Sequence, residues 1–122
     1  MRIATGDFVR LLLLEEVPVG SYASATIGSR SVLVFRTEEG VFVVEDKCSH
    51  MGFPLRGGEL VGVRIRCPEH GAEFDLRSGE PLCAPATRPV RAYAVRMSDG
   101  YVEASADPLP GSVPAAFRPY GL

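Results

Sequence analysis

Apolar residues recur along the chain in short runs, each closed by a turn signal, and this pattern predicts short β-strands. In residues 61–66, Val61, Val63 and Ile65 alternate with arginine or glycine, as expected of a strand with one buried face. The leucine run at 11–14 fits a strand or the start of a short helix. Strands at this spacing favour an all-β antiparallel sandwich or barrel. The predicted strands are residues 8–14, 22–27, 31–36, 41–44, 61–66, 72–76, 90–97 and 101–104.

Glycine and proline restrict the fold further. The chain has 13 glycines and 10 prolines, spread along its whole length, so a helix of more than about three turns would meet a breaker. Four prolines fall in the last 17 residues. We therefore divide the chain into a domain of residues 1–105 and a Pro-rich C-terminal tail of residues 106–122. The tail is either a loose extension or is pinned to the body by Phe117 and Tyr120.

Composition excludes several classes of protein. With 122 residues the chain has the length of one domain. Its net charge of −2 argues against nucleic acid as a main partner, because phosphate binding needs a dense positive field. No apolar run approaches the roughly 20 residues of a membrane-spanning helix, and residues 1–7 lack the apolar core of a signal peptide. We expect no membrane partner and a cytoplasmic location.

The two histidines of the chain each follow a cysteine closely. The clusters are Cys48-Ser49-His50 and Cys67-Pro68-Glu69-His70, and together they predict a metal site with two cysteine and two histidine ligands. Zinc accepts such a set, although its usual fingers pair Cys with Cys and His with His. In a Rieske [2Fe–2S] centre, two cysteines bind one iron and two histidines bind the other. One Cys and one His on each loop fits that arrangement better.

Residues 48–52 and 67–71 resemble the signature of the Rieske family. Residues 72–80 resemble the strand and turn that follow the signature, and residues 82–86, which include Pro85, correspond to the proline loop that covers the cluster. The resemblance implies an all-β Rieske fold, with stacked antiparallel sheets and two cluster-binding loops at one tip. It implies one Rieske [2Fe–2S] cluster per chain, with its inner iron on Cys48 and Cys67 and its outer iron on His50 and His70.

Other residues near the signature have simpler expected roles. Gly52 and Gly71 follow the ligand clusters, where the backbone must approach the cluster closely. Gly79 is expected to be a plain hairpin turn. Cys83, which is at no ligand position, is expected to be a small, partly buried apolar residue. A small apolar docking rim is expected from Met51, Phe53 and Pro85, although Met51 and Phe53 fit the interior of the loop equally well.

Four acidic residues lie near the ligand loops in sequence: Glu45, Asp46, Glu69 and Glu73. The simpler interpretation is that they are solvated surface carboxylates. The alternative is that they steer a basic partner towards the cluster.

Absences indicate which kind of Rieske protein the chain resembles. High-potential members carry a disulfide between the ligand loops, and serine and tyrosine donors after the second histidine. Here no spare cysteine pair exists, and Ala72 and Phe74 stand at the donor positions. We expect a potential near the low end of the Rieske range, about −150 mV. Both histidines are used as ligands, so no catalytic iron site remains and the chain is not expected to be an enzyme.

The closest resemblance in role is to the stand-alone Rieske ferredoxin of multicomponent aromatic-ring-hydroxylating oxygenases. Such a protein carries single electrons from an NAD(P)H-dependent flavoprotein reductase to a terminal oxygenase. It docks transiently at the cluster tip, and we expect a monomer. The alternatives are the Rieske-like small subunit of an assimilatory nitrite reductase and a structural zinc module.

Overall fold

The computed structural model of the chain describes residues 7–49 and 52–113, and almost all of its regular structure is β-strand. Strands are short because turn residues interrupt every apolar run. In chain order the strands are β1 Phe8–Leu13, β2 Ser21–Ile27, β3 Arg30–Thr37, β4 Gly40–Glu45, β5 Glu59–Val61, β6 Arg64–Arg66, β7 Glu73–Asp75, β8 Pro81–Cys83, β9 Ala92–Tyr93, β10 Val95–Ser98 and β11 Tyr101–Ser105.

The strands form three antiparallel sheets. The first has the order β1-β11-β10, the second β2-β3-β4-β9 and the third β5-β6-β7-β8. The second sheet is the middle layer, because its central strand β3 buries side chains on both faces. Leu33 and Phe35 join a cluster with residues of the third sheet, whereas Val32 and Val34 join a cluster with residues of the first. The predicted all-β fold with stacked antiparallel sheets is confirmed.

Three element boundaries differ from the sequence prediction. The leucine run continues β1 only to Leu13, and a 3-10 turn follows at Leu14–Glu16. The predicted strand 61–66 is a hairpin of β5 and β6, because Gly62 between them adopts a φ of +60°. The predicted strand 90–97 is two strands in different sheets. β8 was not predicted, since it has three residues and begins with a proline.

The start of the predicted tail packs on the second sheet. The Leu109 amide donates to the Ala92 carbonyl at 2.7 Å, and the Ala92 amide donates to the Ser112 hydroxyl at 3.0 Å. Phe117 and Tyr120 lie outside the described residues, and the division of the chain at residue 105 stays a prediction. Among the described residues no helix has the length and apolar character needed to cross a membrane.

Candidate metal centre

Two loops with the same pair of backbone hydrogen bonds carry the predicted ligands. The first loop, residues 46–58, connects β4 to β5, and the second loop, residues 67–72, connects β6 to β7. In the first loop the Cys48 amide donates to the Phe53 carbonyl at 2.7 Å, and the Gly52 amide donates to the Cys48 carbonyl at 2.8 Å. The second loop repeats both bonds at the same spacing.

In that second loop the Cys67 amide donates to the Ala72 carbonyl at 2.7 Å, and the Gly71 amide donates to the Cys67 carbonyl at 3.0 Å. Each turn closes through a glycine with positive φ, +79° at Gly52 and +75° at Gly71, a conformation that side chains with a Cβ rarely adopt. The two cysteines are therefore presented by matching turns.

Burial separates the predicted thiol ligands from the described imidazole. Cys48 and Cys67 are almost fully buried and belong to one cluster with Leu55 and Ala86, whereas His70 is exposed. None of the three cysteines of the chain forms a disulfide in the structure. His50 and its neighbour Met51 lie outside the described residues.

A third loop, residues 84–91 between β8 and β9, contacts the first. The Ser49 hydroxyl donates to the Arg88 carbonyl at 2.5 Å, and Nη2 of Arg88 donates to the Ser49 carbonyl at 2.8 Å. This loop contains Pro85, whose peptide bond to Ala84 is cis. The segment identified as the covering loop therefore lies beside the first ligand loop.

The second loop contacts the first loop and the end of β8, the strand that leads into the third loop. The rings of Phe53 and His70 lie 5.6 Å apart between centroids and are tilted by 49°. The Cys83 thiol, at the end of β8, lies 3.7 Å from the Gly71 carbonyl oxygen. All three loops consequently meet at one end of the molecule, with Phe53, His70, Cys83 and Pro85 exposed there.

Asp46 supports the first loop from inside, a role that sequence reasoning missed. Its Oδ1 accepts the backbone amides of Leu55 at 2.8 Å and Arg56 at 2.9 Å, and Oδ2 lies 3.7 Å from Nε of Arg56. Its side chain is only 3% exposed. An Asp two residues before the cysteine was the available signal, since Asp commonly accepts bonds from loop amides.

Tyr22 supports the same loop from the second sheet. Its hydroxyl donates to the Gly58 carbonyl at 2.7 Å and accepts the Gly57 amide at 3.0 Å. A Cβ on Gly58 would collide with the carbonyl of Arg66. Neither contact is visible in sequence, because each joins elements that are distant along the chain.

Glu73 in β7 is held between two arginines of β6. Arg64 donates to its carboxylate at 2.8 Å, and Arg66 donates twice, at 2.9 and 3.0 Å. These hydrogen bonds, with Arg64 contributing most, hold the pKa of Glu73 below its usual range. Its negative charge is therefore neutralised by the two arginines. Glu73 is neither a freely solvated surface carboxylate nor a charge available to steer a partner.

One expectation for a neighbouring residue is wrong, and another is incomplete. Cys83 is exposed rather than partly buried, because β8 is the edge strand of the third sheet. Gly79 lies in the hairpin connection between β7 and β8, as expected, but it also packs against the third loop, where a Cβ would collide with the Val90 carbonyl. Phe53 is 42% exposed and Pro85 is exposed, as expected of rim residues.

The chemistry of the described donors suits a mixed cysteine and histidine metal centre, although no three His, Cys, Asp or Glu side chains converge within residues 7–49 and 52–113. Two buried thiols on matching turns, with a solvent-exposed imidazole on one of them, supply the soft and nitrogen ligands that iron–sulfur centres and zinc both use. Donor chemistry alone therefore leaves the two predicted metals open. Comparison with known proteins separates them.

Residues 7–94 match the family model of the Rieske [2Fe-2S] domain. The chain is 37% identical over 90 residues to the anthranilate 1,2-dioxygenase ferredoxin subunit of Burkholderia cepacia, covering 74% of this chain and 83% of the relative. It is also similar to the ferredoxin of carbazole 1,9a-dioxygenase from Nocardioides aromaticivorans IC177. That structure superposes with a TM-score of 0.76 at 29% identity, covering 80% of this chain and 96% of the other.

A complex of reduced oxygenase and oxidized ferredoxin in carbazole 1,9a-dioxygenase contains another similar chain. Its TM-score is 0.78 at 25% identity, covering 84% of this chain and 96% of that one. The family match extends over most of the chain and includes both cysteine and histidine clusters. This chain belongs to the Rieske [2Fe–2S] domain family.

Proposed function

We propose that the protein is a one-electron carrier, the Rieske ferredoxin component of a multicomponent dioxygenase system. The observation that carries the proposal is the pair of matching turns that bring Cys48 and Cys67 into one buried cluster, with an imidazole exposed beside them. The named relatives are ferredoxin components of such systems. In this role the chain is not itself an enzyme, and its product is a reduced partner.

Four residues are proposed as ligands. Cys48 and Cys67 bind the inner iron as thiolates, and His50 and His70 bind the outer iron through imidazole nitrogens. When bound, the [2Fe–2S] cluster supplies reversible transfer of one electron. Burial of both cysteines keeps water from competing for the inner ligand positions. The exposed His70 brings the ligand shell to the protein surface, where a partner can approach.

The proposed partners are a terminal oxygenase and an NAD(P)H-dependent flavoprotein reductase. The oxygenase is supported by the solved complex in which a similar ferredoxin is paired with the oxygenase of carbazole 1,9a-dioxygenase. A carrier must expose the same end to its donor and its acceptor in turn, so we propose a monomer that binds each transiently. We propose the cytoplasm as its location, where NAD(P)H is available.

A low reduction potential is part of the proposal. Ala72 and Phe74 are fully buried after the second ligand pair, and neither side chain has a hydrogen-bond donor. Fewer donors leave the added negative charge less stabilised, so we expect a midpoint of about −150 mV. Potentiometric titration measures it, and a clearly positive midpoint would contradict this expectation.

Replacement of single cysteines tests the ligand set. Cys48→Ser or Cys67→Ser is expected to remove the visible absorption and the bound iron, and to lower thermal stability, because metal binding contributes to folding. Iron per chain and the visible spectrum are measured on the purified variants. Circular dichroism reports whether each variant still folds.

Cys83→Ser is the matched control, because it changes the same atom in the exposed cysteine at the end of β8. It is expected to keep the colour and the iron. If Cys83→Ser bleaches the protein and Cys48→Ser does not, the ligand assignment is wrong. The ferredoxin role is better supported than a nitrite reductase subunit, since a relative of 37% identity is a ferredoxin subunit.

A further inference from the structure

The carboxylates near the ligand loops are mostly neutralised inside the protein. Glu45 is buried at the end of β4 and forms ion pairs with Arg30 at 3.3 Å and Arg91 at 3.2 Å. Asp46 is engaged by loop amides and Arg56, and Glu73 lies between two arginines. Glu69, on the second loop, is the exposed acid among the four that forms no ion pair with a described residue.

Two exposed cations flank the first loop, and neither forms an ion pair with a described carboxylate. Lys47 precedes Cys48, and its Cε lies 3.6 Å from the point where a Cβ on Gly52 would stand. The lysine side chain therefore lies against the turn that presents the cysteine. Its ammonium charge is not offset within the described residues.

Arg88 holds the second charge at a defined position. Its guanidinium donates to the Ser49 carbonyl, and the Ser49 hydroxyl donates back to the Arg88 carbonyl. Ser49 stands between the two proposed ligands of the first loop. The reciprocal bonds therefore fix a positive charge beside the ligand turn, and a guanidinium has five N–H donors, of which this contact uses one.

An open recess on the same loop adds polar groups. Its lining contains Lys47, Gly52, the hydroxyl-bearing Ser29 and Ser31, and three groups that are already engaged: Arg30 and Glu45 pair with each other, and Asp46 accepts loop amides. Hydroxyls, an ammonium and a guanidinium are donors that suit a carboxylate. The first-loop side of the metal end is consequently positive, in a chain whose net charge is −2.

We propose that this first-loop rim, formed by Lys47, Arg88 and the recess, is the docking surface for an acidic patch on an electron-transfer protein partner. The inference rests on the proposed carrier function and predicts that the docking surface of the partner is negatively charged. Lys47 and Phe53 are exposed on the first loop, and Arg88 and Pro85 are exposed on the third loop that contacts it, so charged and apolar groups are mixed there as in a transient protein contact. A nucleic acid would need a denser positive field.

Charged oxidants of opposite sign test the surface on the intact, reduced protein. One electron passes from the reduced cluster to hexacyanoferrate(III), an anion, or to tris(phenanthroline)cobalt(III), a cation, and no proton moves. Stopped-flow absorbance gives each rate constant as a function of ionic strength. The rate with the anion is expected to fall as salt is raised, and the rate with the cation to rise.

Variants that remove one charge from the rim show which residues cause the dependence of the oxidation rate on the charge of the oxidant. At low ionic strength Lys47→Gln and Arg88→Gln are each expected to slow the anionic oxidant about threefold and to speed the cationic one. Lys47 makes no hydrogen bond that the variant would lose within the described residues, so its effect is electrostatic. Glu69→Gln should act in the opposite direction. These differences should vanish at high salt.

Arg96→Gln is the matched control, since it removes one positive charge from β10, in a sheet that contributes no residue to either ligand loop. It should leave both rates unchanged. Equal effects of Arg96→Gln and Lys47→Gln, or no effect of Lys47→Gln, would overturn the rim while leaving the carrier function intact. A protein without a reducible cluster would overturn the carrier function and the rim together.

Competing polymers distinguish the kind of partner. Poly-L-glutamate, a probe for an acidic polypeptide, is expected to slow oxidation of the unaltered protein by hexacyanoferrate(III) and not that of the Lys47→Gln Arg88→Gln double variant. Oligothymidylate is the comparison for a nucleic acid. If oligothymidylate slows the oxidation and poly-L-glutamate does not, the assignment to a protein partner is wrong.

Discussion

At the metal end, some positions need a backbone conformation and a close contact that few amino acids other than the native one allow. Gly79 has a φ of +82°, and its carbonyl accepts the Val90 amide at 2.9 Å. A Cβ at this position would collide with the carbonyl of Val90, a residue near the end of the third loop. This glycine thus fixes how closely the β7–β8 turn approaches the loop beside the metal site.

Gly79→Ala is therefore expected to lower the free energy of unfolding by roughly 3 kcal/mol or more, because left-handed strain adds to a backbone collision. Gly62→Ala is the matched control. Gly62 has a φ of +60° with open space around it, so only the strain of about 1 kcal/mol remains. Urea unfolding of both variants measures the difference. Equal losses of unfolding free energy in the two variants would contradict the close approach of Gly79 to the Val90 carbonyl.

At this scale the sequence pointed to candidate ligands, but it did not reveal the residues that hold the ligand loops in place. Cys48, His50, Cys67 and His70 were predicted as ligands from spacing, and the structure brings the loops that carry them together. Asp46 and Gly79 were interpreted as a surface acid and a simple turn. Their roles depend on partners that the fold brings near, so a local pattern has no means of revealing them.

Among the elements, the first sheet is tied together by one buried carboxylate. Glu103 of β11 accepts Nε of Arg96 in β10 at 2.8 Å and Nε of Arg10 in β1 at 2.9 Å. Arg10 also stacks on Tyr101 and Arg96 on Phe8, each at 4.3 Å from the ring centroid. The arginine hydrogen bonds, Arg96 first, hold the pKa of Glu103 below its usual range.

A lowered pKa in the folded state means that the ionised carboxylate stabilises the fold. Its contribution is complete above the usual glutamate pKa, about 4.5, and is lost as the pH falls through the lower folded value. Glu103→Gln should therefore be less stable than the unaltered protein at neutral pH, and the difference should narrow below about pH 4.5. Chemical denaturation of both proteins across this range checks it.

Comparing the two proteins at each pH cancels the acid sensitivity that the remaining carboxylates and any bound cluster share. A stability difference that stays constant from neutral pH to about pH 3 would show that Glu103 does not titrate with folding.

The element boundaries that the sequence missed share one cause. The sequence predicted strands at 61–66 and 90–97 because apolar and β-branched residues continue through both segments. The chain reverses at Gly62 and changes sheet after Tyr93, and these steps are set by tertiary pairing. Continuous apolar runs such as the one in β3 were predicted well, because a strand that is buried on both faces has apolar residues at successive positions.

Across the whole molecule, three stacked sheets hold three loops against one another at one end. The middle sheet packs on both neighbours. The Cys48 turn and the loop with Pro85 connect the middle sheet to the third sheet, and the Cys67 turn lies within the third sheet. The stacking, the two matching loops and the covering loop were all expected from the family resemblance. The cationic rim was not, because the pairing of each acid depends on the folded arrangement.

Electron paramagnetic resonance of the dithionite-reduced protein, with iron and acid-labile sulfide counted on the same sample, tests the central claim most directly. The account predicts a rhombic signal with the low average g value of mixed histidine and cysteine ligation, and iron and sulfide in the amounts of one [2Fe–2S] cluster per chain. A colourless, silent protein that contains zinc, or no metal, would contradict it.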